Sequence, residues 1–246
     1  YYGIIFSRFA FSKIKPSTQK KIPISVIVCA KNEAENLKEF IPLILEQDYP
    51  QFELVLINDA SFDESLEIMK TFKEMYPNIK IVDVKNIEAF WGNKKYALTL
   101  GIKAATHDFL LFTDADCKPV SKYWIKEMSS AFTNTKTLVL GYGAYKKKKN
   151  SFLNKLIRFE TVLTAIQYFS FTKIGMPYMA VGRNLAYRKD EFFNANGFMS
   201  HMNIRSGDDD LFINQVATSK NTTTCYSKSS FTESVPETAF NEWFKQ

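Results

Sequence analysis

The stretch Ile24-Ser-Val-Ile-Val-Cys-Ala-Lys-Asn-Glu33 determines how the rest of the chain is interpreted. Residues 24–29 are mostly β-branched and apolar, which is typical of a strand buried on both faces of a parallel sheet. Polar residues follow at once, with Asn32 and Glu33 placed just beyond the end of that strand. The stretch therefore predicts a buried strand whose carboxyl end carries polar side chains.

The same alternation of strand and helix continues through the first half of the chain. It predicts strands at 24–29, 52–57, 79–84 and 109–113, and helices at 33–46, 63–76 and 96–105. Pro42 is expected to bend or restart the first of these helices. This spacing predicts βαβ units and an open, mostly parallel sheet. Ligands of such sheets bind beyond the carboxyl ends of the strands, where Asn58-Asp59 and Asp114-Ala-Asp116 stand.

The second half of the chain is less regular. Residues 138–145 predict one strand, which ends in the lysine run at 146–149. Residues 152–171 predict a helix with a broad apolar stripe, which packs on the core or lies on a membrane surface. The lysine run either solvates a loop or contacts anionic lipid head groups.

Composition sets broad limits on the class of protein. The chain has 246 residues, of which 46% are hydrophobic, and this excludes a disordered or fibrous polypeptide. A net charge of +6 favours phosphate-bearing ligands, nucleic acid or an anionic membrane without choosing among them. The three cysteines, Cys29, Cys117 and Cys225, lie far apart, which is typical of reduced thiols in the cytosol.

The apolar N-terminal residues 1–11 are too few to span a bilayer, which takes roughly twenty apolar residues. They are either the end of a transmembrane helix or a disordered or loosely docked arm. Residues 16–23 are polar, rich in lysine and bracketed by prolines, and they predict a linker.

Two groups of aspartates are the candidate metal-binding and catalytic residues. Asp114 and Asp116 leave the same face of the strand if its geometry persists, and two such carboxylates hold Mg²⁺ or Mn²⁺. The alternative is a solvated turn with two capping side chains. Asp208, Asp209 and Asp210 are contiguous, and this crowding raises at least one pKa unless a metal or a helix N-terminus compensates. The alternative here is that one aspartate caps a helix beginning near Leu211.

Five short motifs occur in the order seen in family 2 glycosyltransferases. They are Val26-Ile-Val-Cys-Ala-Lys-Asn-Glu33, Ile57-Asn-Asp-Ala-Ser61, Gly92-Asn-Lys94, Phe112-Thr-Asp-Ala-Asp116 and Gly207-Asp-Asp-Asp-Leu211. From residue 22 onward the chain therefore resembles that family. The resemblance implies an α/β, Rossmann-like GT-A fold with a mostly parallel central sheet flanked by helices. It also implies an arm at 1–21 and a single catalytic domain at 22–246, with a nucleotide-sugar half at 22–120 and an acceptor half at 121–246.

The resemblance also implies roles for the matched positions. Those that would meet the donor nucleotide are Ala30, Asn32, Glu33, Asp59, Lys94 and Asp114. Asp114 would contact the ribose or the water shell of the metal, and Asp116 would ligate the metal directly. Asp209 would be the general base, but Asp208 stands where the family more often has Glu, so the base stays open among residues 208–210. The segment Gly182-Arg-Asn-Leu-Ala-Tyr187 resembles the one that lines the acceptor side.

Membrane-embedded synthases of this family carry a Gln-x-x-Arg-Trp motif after the base, and residues 240–246 resemble the approach to it. An ordinary amphipathic helix is the alternative. The first interpretation implies membrane attachment through segments outside this sequence and a catalytic domain at the cytoplasmic face of the cell membrane.

The expected activity is an inverting, metal-dependent transfer of a sugar from a nucleotide-diphospho-sugar to a glycan or lipid acceptor, as in polysaccharide biosynthesis. The family makes a UDP-sugar the expected donor and Mg²⁺ or Mn²⁺ the expected cofactor. A sugar-phosphate nucleotidyltransferase is a rival, but it usually has a glycine-rich loop where Ala30-Lys-Asn-Glu33 stands. Nucleic acid is not an expected partner, because acidic strand ends repel phosphates. An inactive glycan-binding or scaffold domain would be expected to have lost an aspartate or Lys94.

Overall fold

The computed structural model describes residues 2–13, 21–85, 94–204 and 206–243. The strands within these ranges are β1 Ile24–Ala30, β2 Phe52–Asp59, β3 Ile79–Val84, β4 Phe109–Asp114, β5 Cys117–Pro119, β6 Leu138–Leu140, β7 Gly143–Tyr145, β8 Leu185–Arg188, β9 Thr222–Thr224 and β10 Thr232–Ser234. The helices are α1 Ser7–Ala10, α2 Ala34–Leu45, α3 Ser65–Met75, α4 Lys94–Ala104, α5 Trp124–Ser130, α6 Phe152–Lys173, α7 Lys189–Asn194, α8 Asp210–Val216 and α9 Phe240–Trp243. Single 3-10 turns occur at Gly182–Asn184, Met199–His201 and Lys228–Ser230.

The centre of the molecule is a seven-stranded sheet in the order β3-β2-β1-β4-β8-β6-β9. The strands β3, β2, β1 and β4 are mutually parallel, whereas β8 runs antiparallel to both of its neighbours. This confirms the predicted α/β fold with a mostly parallel central sheet. Helix α2 contains Pro42 and continues through it, so the helix does not restart there.

Alternate residues of the central strands enter two different cores. Val26 and Leu54 pack with α2, α3 and α5 on one face, while Ile27 and Val55 pack with α4 and α6 on the other. All four side chains are at most 1% exposed. Helices on both faces explain why these strands are continuously apolar rather than alternating.

The predicted single strand at 138–145 is wrong. β6 belongs to the large sheet, whereas β7 belongs to a second sheet of order β5-β10-β7. The chain leaves the large sheet at Gly141, where a Cβ atom would lie 2.5 Å from Cγ of the buried Asn184. The same Asn184 amide donates to the carbonyl of Tyr142 at 3.0 Å. A buried side chain from a distant segment therefore sets the break.

The N-terminal residues form a π-helical turn, Tyr2–Phe6, that leads into α1. Phe9 packs against α6, with its ring centroid 5.4 Å from that of Phe169. Most of the predicted linker lies outside the described residues, as do Gly92 and Asn93 of the predicted lysine motif and the last three residues. Within the described ranges, none of the helices combines the length and the apolar character needed to cross a bilayer.

Candidate active site

The predicted meeting of three strand ends is present in the structure. β1 lies between β2 and β4, with Ala30 opposite Asn58 and Cys29 opposite Asp114. Because all three strands are parallel, their carboxyl ends share one edge of the sheet. The N-termini of α4 and α8 supply the remaining polar groups to this edge, namely Lys94 and the aspartates at 208–210.

Lys94 bridges two carboxylates from opposite ends of the sequence. Its Nζ lies 2.9 Å from Oδ1 of Asp114 and 3.3 Å from Oδ2 of Asp208. Burial lowers the pKa of Lys94, but the two carboxylates outweigh it and hold this pKa well above its usual range. Burial likewise opposes ionisation of Asp114, yet the charge of Lys94 keeps the pKa of Asp114 below its usual value. Lys94 and Asp114 are therefore a charged pair at neutral pH.

Asp116 lies in the turn after β4, close to Asp114. Ligand atoms of Asp114, Asp116 and Cys117 all lie within 4.8 Å of one another. Burial and the charge of Asp114 raise the pKa of Asp116, which a cation between the two carboxylates would reverse. Burial raises the pKa of Cys117 well above its usual range, so its sulfur stays a thiol. The donor set is thus two hard carboxylate oxygens, which suit Mg²⁺ or Mn²⁺.

A cleft lies beside the ion pairs of Lys94. Its polar wall contains Lys94, Asp114, Asp208, Asp209 and Gly182, and its apolar wall contains Ile27, Leu98, Phe112, Leu185, Tyr187 and Phe198. Thr113 also lines the cleft, and its hydroxyl is buried without a hydrogen-bond partner within the described structure. A buried hydroxyl of this kind is costly unless water or a ligand completes it.

The three contiguous aspartates have different surroundings. Asp208 pairs with Lys94, and Asp210 accepts a hydrogen bond from the backbone of Leu211 at 2.8 Å. Asp209 caps α8 by accepting from the backbone N–H of Asp210 at 2.7 Å, and it also accepts from the N–H of Gly182. Burial and the neighbouring Asp208 raise the pKa of Asp209 to about 6. Asp209 is therefore both the residue that caps α8 and the aspartate whose pKa is raised.

The residues expected to meet the nucleoside lie at the same sheet edge, and some of their side chains form hydrogen bonds to neighbouring protein residues. Asn32 has φ of 57°, and its side-chain oxygen accepts from the N–H of Phe62 at 2.8 Å. Glu33 accepts from the amide of Asn36 at 2.6 Å, and burial and the charges of the two strand-end aspartates raise its pKa. The side chain of Ala30 is buried in the core.

Asp59 is buried at the end of β2, with its Oδ2 3.9 Å from Nζ of Lys31. Like Asn32 and Ala30, it lies at the sheet edge but outside the ion pairs that Lys94 makes with Asp114 and Asp208. The structure thus brings together Lys94, Asp114, Asp116, Asp208 and Asp209, with the other predicted positions placed around them.

Arg183 is a functional candidate that sequence reasoning missed. Its guanidinium stacks on the ring of Tyr145 at 4.4 Å and donates to Oγ of Ser234 at 3.3 Å. Its positive charge opposes the rise in the pKa of Asp116 that burial and Asp114 cause. A single arginine directly after Gly182, in a segment that resembles the acceptor side, was the signal available in the sequence.

Sequence reasoning also missed Lys95, because the motif Gly92-Asn-Lys94 assigns a role only to the neighbouring Lys94. It is fully buried, and its Nζ donates to the carbonyls of His201 at 2.8 Å and Ile204 at 2.9 Å. It thereby holds the loop that leads to the aspartate cluster. His201 itself is buried, and neither of its ring nitrogens has a hydrogen-bond partner within the described part of the chain.

The sequence model described as glycosyl transferase family 2 matches residues 25–199. The chain belongs to this family. Among curated relatives, glycosyltransferase AglE of Haloferax volcanii is 27% identical over 193 residues, covering 75% of this chain and 58% of the relative. The poly-β-1,6-N-acetyl-D-glucosamine synthase of Staphylococcus epidermidis is 34% identical over 103 residues, covering 42% of this chain and 24% of the relative. The chain thus spans between a quarter and three fifths of the length of these two relatives.

Solved structures of glycosyltransferases share the fold. The mannosyltransferase PcManGT of Pyrobaculum calidifontis, in complex with GDP-Man and Mn²⁺, aligns with a TM-score of 0.75 at 20% identity and covers 97% of this chain and 65% of that one. Residues 1–349 of TarS from S. aureus, in complex with UDP-GlcNAc, align with a TM-score of 0.63 at 16% identity, covering 89% of this chain and 60% of that one. At these identities the likeness establishes the GT-A fold of this family 2 domain.

Proposed function

We propose that this domain transfers a sugar from a nucleotide-diphospho-sugar to an acceptor hydroxyl with inversion at the anomeric carbon. The observation that carries the proposal is the arrangement of Lys94, Asp114, Asp116 and Asp209 around one sheet edge. A cation-binding pair of carboxylates and a separate carboxyl with a raised pKa are the two parts that a single displacement needs. No covalent intermediate is required, so no nucleophilic side chain is needed.

On the donor side, we assign metal binding to Asp116 and Asp114. A divalent cation held there would offset the negative charge that develops on the leaving diphosphate. Lys94 adds a fixed positive charge in the same cleft, since its Nζ lies 2.9 Å from Asp114. Ala30, Asn32, Glu33 and Asp59 are proposed to surround the nucleoside, with Ala30 contributing its backbone because its side chain is buried.

On the acceptor side, Asp209 is proposed as the general base. The acceptor oxygen forms its bond to the anomeric carbon while the bond from that carbon to the diphosphate breaks, and the hydroxyl proton passes to the Asp209 carboxylate. A pKa of about 6 leaves this carboxylate ionised at neutral pH and more basic than an ordinary aspartate. Asp208 is a poorer base because Lys94 already pairs with it.

The donor is proposed to be a UDP-sugar. TarS, a structural neighbour, was solved with UDP-GlcNAc, whereas PcManGT was solved with GDP-Man. GDP is therefore the nucleotide with which UDP binding should be compared. The acceptor is proposed to be a glycan or a lipid at the cytoplasmic face of the cell membrane.

Calorimetric titration of UDP and GDP into the domain, with Mn²⁺ and then with EDTA, tests the donor site. We expect binding of UDP that requires Mn²⁺ and disappears in Asp116→Ala. Asp190→Ala is the matched control, because Asp190 is an exposed aspartate at the start of α7 that pairs only with Arg188 among the ion pairs of the described residues. Binding of UDP that is unaffected by both EDTA and Asp116→Ala would contradict the assignment.

A further inference from the structure

Helix α6 presents apolar side chains to solvent along one side. Phe152 is 68% exposed, Phe159 is 67% exposed and Val162 is 44% exposed. These positions are spaced seven and three residues apart, so they lie within one stripe of the helix. Three large apolar side chains in one exposed stripe indicate an interaction surface rather than scattered surface residues.

The lysine run at 146–149 is fixed against the start of this helix. The buried side chain of Asn154 accepts from the N–H of Lys148 at 2.7 Å and donates to the carbonyl of Lys146 at 3.0 Å. Ser151 caps α6 by accepting from the N–H of Asn154 at 3.1 Å. The loop and the helix are therefore one unit, and all four lysine side chains are exposed.

The lysine run places four positive charges beside a helix that has one acidic residue. None of the lysines at 146–149 forms an ion pair with an acidic residue in the described ranges. The first turn of α6 contains no acidic residue, although acids there would interact favourably with the helix dipole. Glu160 is the one acidic residue in α6, which also carries Lys155, Arg158 and Lys173.

We propose that this surface docks the domain on an anionic membrane, and we call it the α6 face: Phe152, Phe159, Val162 and the lysines at 146–149. The two phenylalanines and the valine would enter the boundary between head groups and acyl chains, and the lysines would contact the phosphates above them. A soluble protein partner would need an acidic surface around an apolar groove, whereas an anionic bilayer supplies both features everywhere. The α6 face does not include the candidate active site, so this docking stands apart from the proposed sugar transfer.

Sedimentation with vesicles tests the proposal. We expect the domain to bind vesicles of phosphatidylcholine mixed with phosphatidylglycerol and to bind pure phosphatidylcholine vesicles far more weakly. Each basic residue near such a surface changes partitioning about five-fold. Replacing all four lysines at 146–149 by glutamine should therefore weaken binding by more than roughly 100-fold. Phe152→Ser with Phe159→Ser should weaken it by at least about ten-fold per side chain.

A matched control changes four other exposed lysines to glutamine, at positions 70, 73, 103 and 122, which alters the net charge equally. Met75→Ser, at a side chain 58% exposed on α3, is the control for the phenylalanines.

Equal loss of binding in the control and test variants would overturn the proposal, because it would show a general charge effect. Failure of the unaltered protein to bind the anionic vesicles would also overturn the proposal. So would a concentration-dependent dimer that dissociates in the Phe152→Ser, Phe159→Ser protein, because a second copy would then occupy the α6 face. The vesicle assay runs in EDTA without nucleotide, so its outcome is separate from that of the donor titration.

Discussion

Replacing Asp209 by asparagine is expected to slow transfer by about 100-fold or more and, at neutral pH, to stabilise the fold. The two effects have one physical origin, because the raised pKa that suits a general base also makes the ionised carboxylate costly to bury. If Asp209 had a purely structural role, replacing it would be expected to lower the free energy of unfolding of the protein. The pH dependence of the stability difference is the quantity that distinguishes these cases.

The magnitude follows from the two pKa values. The carboxyl of Asp209 has a pKa of about 6 in the folded protein, against about 3.9 in an unfolded chain. The folded state therefore binds this proton more tightly, and the free energy of unfolding falls as pH rises from about 4 to about 6. The full cost is on the order of 3 kcal/mol near pH 7.5, and about half of it is present at pH 5.

Asparagine carries no charge at either pH, so the variant escapes this cost. Its amide cannot accept from both Gly182 and Asp210, and losing one hydrogen bond costs about 1 kcal/mol at either pH. The free energy of unfolding of the variant minus that of the unaltered protein should therefore increase by roughly 1.4 kcal/mol between pH 5 and pH 7.5. Transfer should fall by about 100-fold or more.

Urea unfolding of both proteins at the two pH values, in EDTA, measures this difference. Asp190→Asn is the control, because this exposed carboxylate pairs with Arg188 on the surface and its replacement should show no such increase. A stability difference that is the same at pH 5 and pH 7.5 would refute the raised pKa of Asp209. Retained transfer by Asp209→Asn would refute its role as the base.

Three further changes probe the surroundings of the site. Lys94→Met should weaken Mn²⁺-dependent binding of UDP by at least about ten-fold in calorimetry, since Asp114 loses the cation 2.9 Å away; unchanged affinity would contradict the role of Lys94. Lys95→Met should lower the free energy of unfolding by about 2–4 kcal/mol in urea, since two charged hydrogen bonds are lost, and a stability equal to that of the unaltered protein would show that they contribute nothing. Gly101→Ala should cost about 1–3 kcal/mol in thermal unfolding, because the new Cβ would lie 2.1 Å from Cδ1 of Ile57. Ile57→Val in the same protein removes that methyl group and should recover part of the loss; no recovery would place the strain elsewhere.

The first half of the fold could be predicted from sequence because its signals are local. β3 begins and ends where the apolar run predicts, at Ile79–Val84, and β1, β2 and β4 each extend the predicted strand by one or two residues. In β2 and β4 the added residues are polar, Asn58, Asp59 and Asp114, and they continue the strand geometry past the apolar run, whereas β1 adds Ala30. The break at Gly141 could not be predicted, since it depends on Asn184, forty-odd residues away.

The site divides in the same way. Asp114 and Asp116 follow a recognisable strand, and Asp209 belongs to a recognisable acidic cluster, so each could be found from neighbouring residues. Arg183 and Lys95 could not, because their roles come from partners distant in sequence. Arg183 stacks on Tyr145 of β7, and Lys95 donates to the carbonyl of His201.

The charges of the site are the physical reason for proposing that nucleotide binding requires a metal. Four carboxylates, those of Asp114, Asp116, Asp208 and Asp209, lie in or beside the cleft, and Lys94 pairs with two of them. The charge of Arg183 also acts on Asp114 and Asp116. With Asp209 ionised the excess is negative, and a diphosphate entering this field would be repelled. In the proposed function, a divalent cation at Asp114 and Asp116 would reverse the sign of the charge on the donor side and would leave Asp209 free to take a proton. The proposal therefore separates a donor side that would become positive on binding metal from an acceptor side that would stay basic. Lys94 lies between the two, because it pairs with Asp114 on the first side and with Asp208 on the second.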